Sequence, residues 1–132
     1  MPIFTHNLAS IACLLNDLPS AHQYNLEALK YGEDLGHKTS MGSALSVFGA
    51  LAMQDGKAGR AAKLFGAVQA IFEANAYNQE NADKKFHDYY VFKAKAAIGD
   101  DAFDAAFAEG RLQSISDAVA LARQNESKLP NF

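Results

Sequence analysis

The chain has 132 residues, 49% of them hydrophobic and 20% charged, which suits one folded domain and excludes an intrinsically disordered chain. Twelve basic residues against fifteen acidic ones leave a net charge of −3, without the basic excess of a general nucleic-acid or membrane-surface binder. Abundant alanine with few valines and threonines favours helix over sheet, and no apolar run approaches the ~18 residues of a membrane span.

The first predicted helix covers Phe4 to Leu15, where Ile3, Leu8, Ile11, Ala12 and Leu15 recur at three- and four-residue steps. Asn16-Asp17 breaks it. Pro19 suits the first turn of a second helix, Ser20 to Leu35, with Tyr24, Ala28, Leu29 and Leu35 inward and Gly36 at its end. Thr39 or Ser40 is expected to cap a third helix reaching Gln54, with Leu45, Phe48, Leu51 and Ala52 as its stripe. Asp55-Gly56 ends that helix. A fourth runs from Lys57 to Ala76 with Ala61, Leu64, Phe65, Val68 and Phe72 on one side. The polar interval Asn75 to Ala82 then reads as a linker. A fifth helix, Asn81 to Ile98, clusters Phe86, Tyr89, Tyr90 and Phe92 and stops at Gly99. A sixth spans Asp100 to Glu109, and Ser114 with Asp117 forms the capping box of a seventh that ends near Arg123. The last residues, 125–132, read as a frayed tail.

The first two helices and the next two repeat each other at an offset of forty residues. Leu8 matches Phe48, Ala9 matches Gly49, Ala12 matches Ala52, Ala21 matches Ala61, Asn25 matches Phe65, and Ala28 matches Val68. The pairs agree in size more than in identity, as helix packing requires: small residues let paired helices approach, and large ones fill the gap between them. A large residue at Ala61 is expected to cost about 1–3 kcal/mol by overpacking. The chain thus reads as one all-α domain over residues 1–124. A first repeat covers 3–36, a second 40–76, and capping helices 81–124; the tail follows.

The order Phe48-Gly49, Ala52, Gly56, Ala61, Phe65, Val68, prefigured by Leu8-Ala9, Ala12, Ala21, Ala28, resembles the tetratricopeptide repeat in a form of about forty residues. Further on, Ala61 to Ala67, Tyr89 or Tyr90, Ile98 to Phe103, Ala108 to Arg111 and Ser114 to Ala122 are similar to the C-terminal end of LuxR-type ATP-dependent transcriptional regulators and related signalling ATPases or cyclases. Ile98 stands for the usual Leu and Phe107 for the usual Trp. The resemblance implies a tetratricopeptide-like α-α superhelix acting as a regulatory module in the cytoplasm of a bacterium. The ATPase, cyclase and DNA-binding activities of such proteins belong to domains outside this stretch.

Chemistry-bearing motifs are scarce. "QDGKAGRAAKLF" has Gly56, Lys57 and Gly59 but lacks the spacing of a phosphate-binding loop. His6, His22, His37 and His87 have no metal-ligand spacing. The lysines around Phe86, Tyr89, Tyr90 and Phe92 are offset by Asp83 and Asp88, and helical spacing makes the aromatics core rather than a stacking platform. Asp100-Asp101 suits a helix N-terminus better than a carboxylate pair in an active site. Cys13, the single cysteine, lies in an apolar run and reads as a buried small hydrophobe in a reducing compartment. Residues 1–7 lack the pattern of a secretory leader.

No catalytic residue, metal or cofactor is therefore expected. The expected function is binding of a protein or peptide in a groove lined by the first helix of each pair, at Asn7, Ser10, Asn16, Ser43, Ser46, Val47 and Gln54. Small-molecule effector sensing is the alternative, and a structural dimerisation piece a further one. The first helix has nothing before it, so its outer face is expected to be covered by preceding parts of a longer parent chain or by a second copy. Neither nucleic acid nor membrane is expected as a partner.

Overall fold

A computed structural model describes residues 2–79 and 81–124, with side chains from Thr5 onward. These residues form seven helices and no strand: α1 Pro2–Leu14, α2 Leu18–Leu35, α3 Lys38–Gln54, α4 Ala58–Ala74, α5 Asn81–Ile98, α6 Asp100–Arg111 and α7 Ile115–Arg123. The chain is all-α, as composition and periodicity predict. The expected tail at 125–132 lies outside the described residues.

The forty-residue duplication extends to individual hydrogen bonds. Between α1 and α2, Asn16 takes a left-handed conformation (φ 61°), and the Asp17 N–H donates to the Ala12 carbonyl at 2.8 Å. Between α3 and α4, Gly56 does the same (φ 77°), and the Lys57 N–H donates to the Ala52 carbonyl at 2.8 Å. The connections that follow are also copies. Gly36 (φ 63°) and Ala76 (φ 49°) are both left-handed, and the next residues, His37 and Tyr77, each donate at 2.9 Å, to Gly32 and Phe72. This is the left-handed C-terminal turn that satisfies the last carbonyls of a helix and reverses the chain.

Within each pair the helices touch through the small residues. Ala9, Ala21, Ala52 and Ala61 are wholly buried, and Ala12, Ala28 and Val68 are in the same core. At Gly49 a β-carbon would collide with the Phe65 ring, so α3 and α4 approach as closely as they do only because Gly49 has no side chain. Asn25, at the place of Phe65, is fully buried, and its amide Nδ2 donates to the Ala44 carbonyl of α3 at 2.8 Å.

Several expectations are corrected. Leu8 and Phe48 match in sequence, yet Leu8 is 44% exposed and Phe48 0%, because α2 lies against Phe48 and no described residue lies in that position against Leu8. Leu35, expected inward, is exposed at the end of α2. Tyr89 and Phe92, expected in the core, are exposed on α5. The cap of α3 is His37, whose Nδ1 accepts the Ser40 N–H at 3.3 Å; Thr39 and Ser40 are already inside the helix. At α7, Ser114 Oγ caps as predicted, accepting from the Asp117 N–H at 3.1 Å.

The last three helices depart from the pattern. α5 lies against α3 and α4, as a third first-helix would, but α6 packs chiefly on α4 and hardly on α5. Gly66 and Gly110 make this crossing possible: a β-carbon on Gly66 would strike the Phe107 carbonyl, and one on Gly110 the Lys63 carbonyl. α7 then lies over α3 and α4 with Ala118, Val119 and Ala122 buried. Exposed ion pairs, Arg111–Glu73 at 2.7 Å and Arg123–Glu33, fasten these helices and contribute little individually.

Candidate interaction site

The surface expected to form a groove is built from α1 and α3, and α5 lies across it. α1 and α5 run side by side in the same direction: His6 Nε2 meets Asp83 Oδ1 at 3.3 Å, and two turns later the Cys13 thiol meets the Tyr90 hydroxyl at 3.6 Å. Gln54, at the end of α3, ties the three helices together. Its Nε2 donates to the Cys13 carbonyl at 2.9 Å and to the Tyr90 hydroxyl at 2.9 Å. Deeper in, the Ser46 hydroxyl and His87 Nδ1 are 2.7 Å apart, joining α3 to α5.

This arrangement corrects the groove. Ser46 and Gln54 are bonded into the seam with α5 and Val47 is buried, so none of the three offers a docking surface. Asn16 is exposed in the α1–α2 turn, where its backbone conformation is its evident contribution. Ser10 directs its hydroxyl to the His6 carbonyl at 3.2 Å. Asn7 and Ser43 alone among the seven line a cavity, of about 370 Å³, at the N-terminal ends of α1, α3 and α5. His6, His37, Tyr77 and Asp83 line it too.

The buried polar groups of the seam are electrostatically quiet. Burial lowers the His87 imidazole to about 4, with Asp88 opposing and Lys84 assisting, so it is neutral at pH 7. Burial raises both the Cys13 thiol and the Tyr90 hydroxyl, so both stay protonated. A serine bonded to an imidazole is the arrangement that activates a nucleophile. Here both groups are enclosed, with the His87 ring edge-on to Phe65 at 5.0 Å, and the pair holds two helices together. Among the described residues, no group of three or more His, Cys, Asp or Glu side chains is placed to hold a metal ion.

The surface left open is the outer side of α1. Leu8, Ile11 and Leu15 recur at heptad spacing along one stripe and are 44%, 53% and 75% exposed, with Leu14 exposed beside them. Sequence reading anticipated an uncovered first helix but not how its stripe aligns with an interface inside the molecule. Forty residues on stand Phe48, Leu51 and Asp55, and Phe48 and Leu51 are buried. The second open patch, Tyr89 and Phe92 on α5, has Lys93 Nζ 5.3 Å from the Tyr89 ring centroid. Compared with protein-family models, curated proteins and solved structures, the chain matches none.

Proposed function

We propose that this chain is a non-enzymatic protein-interaction and regulatory module, the C-terminal helical-repeat part of a larger bacterial transcriptional regulator or signalling ATPase. The observation that carries the reading is the duplicated hairpin whose first helix keeps its apolar edge exposed. Stacked hairpins bury such edges against neighbours, and an edge left over is a place for a protein partner or an adjoining domain. The single buried thiol accords with the reducing cytoplasm. The mild negative charge favours neither nucleic acid nor anionic membrane as partner, and among the described residues no helix is long and apolar enough to cross a bilayer. The test is the genomic reading frame upstream of Met1. A continuous frame carrying an ATP-binding domain supports the parentage; an in-frame stop with a start signal at Met1 removes it.

A second reading, effector sensing, is favoured by the cavity at the N-terminal ends of α1, α3 and α5. It mixes histidine, tyrosine and carboxylate side chains, and the His6 Nδ1 atom is buried with no hydrogen-bond partner. A ligand there raises the unfolding midpoint by mass action. A thermal-shift screen of polar metabolites tests it: a specific rise that His6→Ala abolishes supports sensing, and an unresponsive midpoint across the screen dismisses it.

A further inference from the structure

Resting on the interaction reading above, we infer that the α1 edge is a docking site for one kind of occupant. That occupant is the second helix of an incoming helical hairpin, running antiparallel to α1 and carrying the chemistry of α2. The internal repeat identifies it. The α2–α3 seam shows what the matching stripe on α3 receives: the His22 ring meets the Phe48 ring at 6.2 Å, the Asn25 amide reaches the Ala44 carbonyl, and Gly32 lies against Met41. Ascending positions on α2 meet descending positions on α3, so the helices are antiparallel. His22, Asn25, Leu29 and Gly32 form one buried stripe at heptad spacing. Stepping back forty residues replaces Phe48 and Leu51 by Leu8 and Ile11, which are apolar and exposed. The occupant therefore presents a small residue near the start of α1 and a ring near Leu8.

A second copy of this chain has no such helix to offer. Its α2 stripe is buried under α3. The corresponding stripe on α4 includes Ala62, Phe65 and Phe72, all buried, with Phe65 against His87 of α5. Head-to-tail stacking of identical chains is thus closed off, and the partner helix comes from a sequence outside this one.

The decisive experiment places a duplicate of residues 1–40 directly before Met1 of the full chain, which continues the forty-residue period without a break. The expected result is a single unfolding transition with the midpoint raised by about 5 °C. Amide exchange over residues 8–15 of the original α1 should slow at least tenfold. Ile11→Glu in the original α1 should abolish both effects in the extended chain, while shifting the midpoint of the unextended chain by no more than about 2 °C. Two separate transitions, or unchanged exchange in α1, overturn the inference. So does sedimentation of the unextended chain as a dimer with residues 8–15 protected, because the occupant is then a second copy. None of these results bears on the upstream reading frame, so the wider reading stands or falls apart from this one.

Discussion

The first two helical pairs and the last one start from the same plan and end differently. α5 is placed against α4 as α3 is placed against α2: Asn25 reaches Ala44 across one seam, and Phe65 meets His87 across the next. Forty-three residues separate Ala44 from His87, as they separate the helix starts Lys38 and Asn81. In that register the Gly49 position, which must be small for α4 to approach, is occupied in α5 by Phe92, and the Ala52 position by Lys95. A second helix cannot nest against α5 there. α6 finds its small-residue crossing on α4 instead, through Gly66 and Gly110. Two large residues on α5 and the small-residue crossing on α4 together separate a hairpin that closes from one that opens into a cap.

The largest effect is expected where the cap is fastened. Gly66→Ala puts a β-carbon into the Phe107 carbonyl, and because the obstacle is backbone no rotamer change clears it. A loss of about 3 kcal/mol is expected in urea unfolding, at the top of the overpacking range. Exchange in α6 and α7 should rise while α1 and α2 stay protected. Equal loss of protection in all seven helices would mean that cap and repeats are not separable in this way.

Acid should loosen both seams. His87, held neutral by burial at about 4, and His22, lowered by burial against a weaker opposing effect from Asp55, bind their protons more readily when unfolded. As pH falls below the ordinary histidine value of about 6.5, the unfolded chain takes up protons that the native chain refuses, so stability declines. The decline from His87 levels off once pH passes below about 4, and amounts to roughly 3 kcal/mol. Above pH 7 neither group contributes a slope. His87→Gln should flatten most of the pH 4–6.5 dependence measured by urea titration, and an unchanged slope would place the sensitivity elsewhere.

Strain at the turns gives a smaller effect of opposite sign. Ala76 adopts at φ 49° the conformation that Gly36 adopts forty residues earlier, and a β-carbon makes that conformation unfavourable by about 1 kcal/mol. Ala76→Gly is therefore expected to stabilise the chain by about 1 kcal/mol less the entropy glycine adds to the unfolded state, visible as a higher urea midpoint with an unchanged slope. Destabilisation would show that the second connection does not strain its alanine.

What the sequence displays and what it conceals follow from the same physics. Small residues at Ala9, Gly49, Ala21 and Ala61, and left-handed turns at Asn16 and Gly56, are fixed by contacts within a hairpin, so their spacing makes the duplication legible. Whether Ser46 and Gln54 face solvent depends instead on where α5 goes. That is decided by contacts more than thirty residues away, so these positions look like groove and are seam. Leu8 and Phe48 are equivalent in chemistry and opposite in exposure because one has a preceding helix and the other has none among the described residues. The failure of α5 to form a third close pair was concealed by the longer connection before it: at an offset of forty Phe92 falls opposite Ala52, and only at forty-three does it fall on Gly49. His37 is not legible as a cap because imidazole is not among the usual capping groups.

The smallest expected effect is the sharpest check on the comparison. Phe92 is 70% exposed, so Phe92→Ala removes little buried area and should change stability by less than about 0.5 kcal/mol. A loss above 1 kcal/mol would mean that Phe92 is packed in solution and that the third pair is closed after all. The near-zero outcome does not by itself allow α6 to return to α5, since Lys95 still occupies the place of Ala52 and the Gly66–Gly110 crossing still holds α6 on α4. Combining Phe92→Ala and Lys95→Ala with Gly110→Ala restores small residues on α5 while obstructing the alternative. If the comparison identifies the cause, that triple variant should show more amide protection on the outer face of α5 than the Gly110→Ala chain alone.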